Sequence, residues 1–114
     1  MNKTINQKVS GAARRYLELK GFEVLDEFEL AGVPYIAADD CGEVVVARVS
    51  YSTERVPEPW SDRDAFEMAA AHFLKGRDEA DVPVRGDSID LMVLGDSRAM
   101  LRHATNVTGG SAGA

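Results

Sequence analysis

The sequence predicts an α/β domain whose mixed sheet is flanked by helices, in the order helix, three strands, helix, two strands. Three observations carry this prediction. Two stretches place apolar residues at helical spacing, shorter stretches between and after them alternate or are β-branched, and glycine-bearing turns separate them. At 114 residues the chain is short for two domains. A domain of this size buries roughly two thirds of its unfolded surface, enough for one core without disulfide staples.

The first helix is predicted over residues 7–20, where Val9, Ala12, Ala13, Tyr16, Leu17 and Leu19 recur mostly at helical spacing. Gly21 stops it as the C′ residue. Residues 22–30 alternate imperfectly and read as a half-exposed first strand. Residues 33–40 and 43–51 follow as two more strands, the latter carrying Val44-Val45-Val46. Cys41-Gly42 between them suits a two-residue hairpin turn. If Asp40 faces Glu43, then Tyr35 faces Arg48, and Val33, Tyr35, Ala37, Val44, Val46, Arg48 and Ser50 share one face. Pro34, Ile36, Ala38, Val45, Ala47 and Val49 share the other. Both faces are largely apolar, which predicts a sheet covered on both sides.

Pro57 and Pro59 mark a loop, with Trp60 before the second helix. Ser61 with Asp64 predicts a capping-box-like start, although aspartate replaces the usual Glu or Gln. Phe66, Ala69, Ala70 and Phe73 form the apolar stripe of a helix ending near Lys75-Gly76. Residues 78–87 read as an acidic loop, 88–94 and 98–104 as two final strands joined at Gly95-Asp96-Ser97, and 108–114 as a linker-like, disordered tail. The domain is thus expected over residues 1–107.

Formal net charge is −6, which opposes avid nucleic-acid binding, but the charge is uneven. Residues 1–20 hold Lys3, Lys8, Arg14, Arg15 and Lys20 against Glu18 alone, while residues 21–47 hold seven acids and no base. The basic first segment can approach a phosphate backbone, or it is simply a solvated helix face. The single cysteine, Cys41, excludes an internal disulfide within one copy and fits a reducing compartment. The first residues show no apolar leader segment and no stretch approaches a membrane span, so a cytoplasmic protein with no membrane partner is expected.

Dinucleotide, P-loop, HExxH and CxxC motifs are absent. His72 and His103 lie far apart in sequence, so a zinc site with Cys41 is not expected, and His72 is expected to pack on its helix edge. Arg85-Gly86-Asp87 spells an integrin-type tripeptide, read as coincidence. No cofactor is expected.

One resemblance stands out. Ala13-Arg14-Arg15-Tyr16-Leu17, Gly21-Phe22-Glu23-Val24-Leu25, Ile36-Ala37-Ala38-Asp39 and the run from Val44 to Val49 resemble the opening of the YraN-type family of uncharacterised, endonuclease-like proteins. Residues 66–74, then Val84-Arg85-Gly86-Asp87, Leu91 and Asn106, resemble its second helix and final strands. The resemblance spans roughly residues 8–107. It implies a PD-(D/E)xK, restriction-endonuclease-like core. That family's pattern has a glutamate in the first helix, an aspartate on the second strand and Glu-x-Lys on the third. Residues two apart on a strand face the same way, so such groups converge on Mg²⁺, which activates water and stabilises the leaving oxygen. Here the corresponding positions hold Ser10, Tyr35, Arg48 and Ser50. None is an anionic ligand and Arg48 repels a cation, so no catalytic or metal residue is carried over.

Three functions stay open. The fold has lost cleavage yet binds DNA or RNA by backbone contacts, with Arg48, Arg14, Arg15 and Lys8 as the candidate contacts. Alternatively it is a protein-interaction or scaffold module with no nucleic-acid role. The third is an enzyme using residues not recognised here. Apart from these, Tyr35 and Arg48 can form a cross-strand cation–π or packing pair that merely fills the vacated site.

Overall fold

A computed structural model describes residues 2–60, 62–75, 77, 83–95 and 98–107. The chain is α/β, running α1 (Asn2–Leu19), β1 (Glu23–Leu30), β2 (Val33–Asp40), β3 (Glu43–Ser52), α2 (Arg63–Leu74), β4 (Val84–Val93) and β5 (Ala99–Ala104). The five strands form one mixed sheet in sequential order. All neighbours are antiparallel except β3 and β4, which are parallel because α2 carries the chain back between them.

Local chemistry explains each junction. Helix α1 begins before the predicted stretch, because its polar first residues carry neither a periodic apolar signal nor a breaker. It ends in a Schellman motif: Phe22 N–H donates to the Leu17 carbonyl (3.0 Å) and Gly21 N–H to that of Glu18 (3.1 Å), with Gly21 at φ +95°. The β2–β3 turn places Cys41 and Gly42 at φ +53° and +94°, a type I′ geometry that imposes the expected register, Asp40 opposite Glu43 and Tyr35 opposite Arg48. In β1 the register shifts between Val24 and Asp26, a bulge on an edge strand.

Two further details differ from the sequence expectation. The N-cap of α2 is Asp62, whose side chain accepts from Ala65 N–H at 3.1 Å, in place of a capping box with Asp64; Ser61 lies outside the described residues. Strand β4 begins at Val84, so Arg85, Gly86 and Asp87 belong to the sheet and not to an acidic loop. The charged residues hide this start: Arg85 and Asp87 alternating with Gly86 and Ser88 carry no apolar period. Gly76, residues 78–82, Asp96-Ser97 and the 108–114 tail lie outside the described residues.

Each face has its own core. Val44, Val46, Tyr35, Ala37 and Val84 meet Trp60 and the α2 stripe Phe66, Ala69, Ala70 and Phe73. On the opposite face, Ile36, Val45, Ala47, Val49, Ile89 and Leu91 pack under Val9, Ala13 and Leu17 of α1. The central strands are therefore apolar on both sides, as expected for a sandwiched sheet. No described helix is long and apolar enough to cross a membrane.

Candidate functional site

Strand β4 sends one buried carboxylate to each face of the sheet. Alternation puts Asp90 and Ser88 on the α2 side and Asp87 on the α1 side, all three fully buried. An unpaired buried charge costs several kcal/mol, so the partners of each decide what it can do.

Asp90 lies beside Arg48 and Ser50 of β3. Ser50 Oγ donates to its Oδ1 at 2.6 Å and Ser88 Oγ approaches both oxygens at 2.9 and 3.0 Å. Arg48 Nη2 stands 3.9 Å from Oδ1 and Arg102 Nη2 3.6 Å from Oδ2. The same groups anchor the loop before α2. Trp60 N–H donates to Ser88 Oγ at 3.0 Å, Arg48 reaches the Glu58 carbonyl at 3.4 Å, and Arg102 bonds the Pro57 carbonyl. Arg48 also stands over the Trp60 ring, 5.9 Å from its centroid. Its Nε is buried without a hydrogen-bond partner among the described residues.

The cation–π partner of Arg48 is thus Trp60. Tyr35, although opposite Arg48 in register, stacks on Phe28 (centroids 5.5 Å) and tilts against Trp60 (5.6 Å). Burial raises the Tyr35 hydroxyl above the ordinary tyrosine range, and the nearby Arg48 charge only partly opposes this. Ser10 sits on α1, the helix of the other face, in a shallow depression at the β1 edge that Tyr35 also lines. Around Tyr35, Arg48 and Ser50 the structure thus holds a set of ion pairs, hydrogen bonds and aromatic contacts.

Asp87 is saturated. Its Oδ1 accepts from Arg85 Nε (3.0 Å) and Asn106 N–H (2.9 Å), its Oδ2 from Arg85 Nη2 (3.2 Å) and His103 Nε2 (2.8 Å). Four donors fill the carboxylate's acceptor positions. Burial would push this carboxyl up, but the bonds from His103, Arg85 and Asn106 outweigh it and hold the group below the usual aspartate range. Since Asp87 accepts, His103 donates from Nε2, and its Nδ1 forms a hydrogen bond with the Tyr16 hydroxyl at 2.9 Å. Burial, and secondarily the Asp87 charge, raise the Tyr16 hydroxyl above its ordinary range. Arg85 continues the network to Asp40 (3.1 Å) and Glu43 (3.0 Å). The integrin-like tripeptide is therefore an internal strut, with Arg85 and Asp87 two apart on one face of β4.

The candidate nucleic-acid contacts are not gathered in one place. Arg14 is ion-paired with Glu18 and Glu27, and Arg48 is held on the α2 face. Lys8 and Arg15, in contrast, border a cleft of about 610 Å³ between α1 and the far end of the sheet. Arg98, missed in the sequence because it was read only as a strand residue, borders the same cleft. These three cations are exposed, while Val9 and Leu91 are buried and Tyr51, Val93 and Leu101 are half-buried. No acid lines the cleft among the described residues. The Arg15 guanidinium lies back over Gly11, with Nη1 3.6 Å from where a Cβ would stand.

His72 is exposed and rests its ring against Phe28 at 4.6 Å, whereas His103 is bound into the Asp87 network on the opposite face. Cys41 is exposed at the β2–β3 turn. Among the described residues no three His, Cys, Asp or Glu side chains are grouped to hold a metal ion. Compared with known proteins, the chain matches no family model and no curated relative.

Proposed function

We propose that this protein is a non-catalytic nucleic-acid-binding module on a restriction-endonuclease-like frame, with its binding face in the α1 cleft and not at the nuclease-equivalent position. The observation that carries this reading is the charge of the cleft: Lys8, Arg15 and Arg98 stand around it and no acid among the described residues does. Phosphate backbones are held by such cations, and the acid-rich β1 lies at the opposite edge of the sheet from β5. The loss of cleavage is supported by Arg48 and Ser50, which serve Asp90 and the loop before α2 where metal ligands would be needed. Arg48 and Arg14, engaged with acids of this chain, leave the proposed interface.

A second reading, a protein-interaction module, is favoured by the exposed acids Glu23, Asp26, Glu27 and Glu29 along β1. The two separate in one experiment. Labelled oligonucleotides titrated at low salt should bind the parent and not the Lys8→Glu/Arg15→Glu/Arg98→Glu variant, and should remain uncut with Mg²⁺ present. Three phosphate contacts predict log K falling with log[salt] at a slope of about −2 for a single strand. Absence of binding at low salt, or binding that the triple variant retains, overturns the nucleic-acid reading.

A further inference from the structure

Resting on the proposed binding face, we infer that the cleft selects single-stranded nucleic acid by seating an unpaired base against its apolar floor. Cations alone would not distinguish single strands from duplex, because both present phosphates. The floor is what differs. Between the exposed charges of Lys8, Arg15 and Arg98 lie the half-buried side chains of Tyr51, Val93 and Leu101, with nothing charged among them. At about 610 Å³ the cleft falls within the roughly 300–1,000 Å³ range of small-ligand pockets, and it suits a base far better than a rigid double helix. A base exposes a flat apolar face only when its neighbours are unstacked, which a single strand does at little cost. Tyr51 offers the aromatic face and Val93 and Leu101 the aliphatic contact, while the adjoining phosphates fall to the cations. The rest of the surface does not compete: β1 is lined by acids, and the aromatic cluster of Phe28, Tyr35 and Trp60 is packed within itself and against α2.

The test uses the full chain and three labelled probes of equal length: an oligothymidylate, an abasic strand with the same phosphates, and a duplex, which carries twice as many. The parent should bind the oligothymidylate about tenfold or more tightly than either the abasic strand or the duplex, with similar salt slopes for the two single-stranded probes. Tyr51→Leu should cut oligothymidylate affinity several-fold and leave abasic binding unchanged. The abasic comparison needs no variant, so it decides the question even if Tyr51→Leu disturbs folding. Equal affinity for all three probes overturns the base seat and leaves nucleic-acid binding intact. No binding to any of them, with binding instead to an acidic leucine-containing peptide, overturns both.

Discussion

His103 Nε2 stands 2.8 Å from Asp87 Oδ2, tying the outer strand β5 to the interior of β4 beneath α1. The contact closes a chain from the Tyr16 hydroxyl through His103 and Asp87 to Arg85 and the acids Asp40 and Glu43. It joins the first helix, both hairpin strands and the last two strands through one run of polar contacts.

Asp87→Asn should therefore be strongly destabilising, by about 3–5 kcal/mol, because Arg85 and His103 lose a buried anion to which both are directed. The pH dependence has a definite sign. The folded carboxyl titrates below the unfolded value of about 3.9, so its stabilisation is complete above that pH and is lost as pH falls through the lower folded value. Urea denaturation between pH 2 and 6 should show this acid loss in the parent and a smaller one in Asp87→Asn.

Tyr16→Phe removes one hydrogen bond to His103 and should cost about 1 kcal/mol at neutral pH. At the alkaline end the sign is opposite to that of Asp87. The folded Tyr16 hydroxyl is raised, so its contribution is present below about pH 10 and declines as pH climbs through the folded value. Stability curves of parent and Tyr16→Phe should converge there, and a gap that widens above pH 10 would contradict this assignment.

On the other face, Asp90 matters more than the arginine beside it. Asp90→Ala strands two serine hydroxyls and removes the anion near Arg48 and Arg102, and should cost about 3–5 kcal/mol. Arg48→Met should cost roughly 1 kcal/mol or less. Asp90 keeps Ser50, Ser88 and Arg102, the lost pair is long at 3.9 Å, and the buried unpartnered Arg48 Nε disappears. Denaturant midpoints of the two variants check the ranking.

Neither buried carboxylate is free for a cation. Asp87 has its acceptor positions filled and Asp90 faces two arginines. The melting temperature should be unchanged by millimolar Mg²⁺ or Mn²⁺, and a saturable metal-dependent rise would show that this network opens.

Gly11→Ala should stabilise α1 by roughly 1 kcal/mol, since alanine is the better helix former and its Cβ meets Arg15 at an ordinary 3.6 Å. Thermal melts of the two proteins decide it.

Much of the frame was legible from local signals. The hairpin register followed from Cys41-Gly42 and from apolar alternation on two faces, and the α2 stripe from Phe66, Ala69, Ala70 and Phe73. The polar interior was not legible. Asp87 falls in what reads as an acidic loop and Asp90 in a predicted strand with no sign of burial, because an aspartate in sequence carries no mark of its partners, and those partners include the distant His103, Arg48 and Arg102. For the same reason Arg14 and Arg15, adjacent in the chain, part company. The helical turn aims one at Glu27 and the other at the cleft.

Backbone amide shifts followed during titration with an oligothymidylate test the central claim most directly. Binding in the cleft predicts perturbations over residues 8–15, at Tyr51, and over 91–93 and 98–101, with Tyr35, Arg48 and Trp60 unmoved. Perturbations centred on Arg48 and Trp60, or spread along β1, would contradict it.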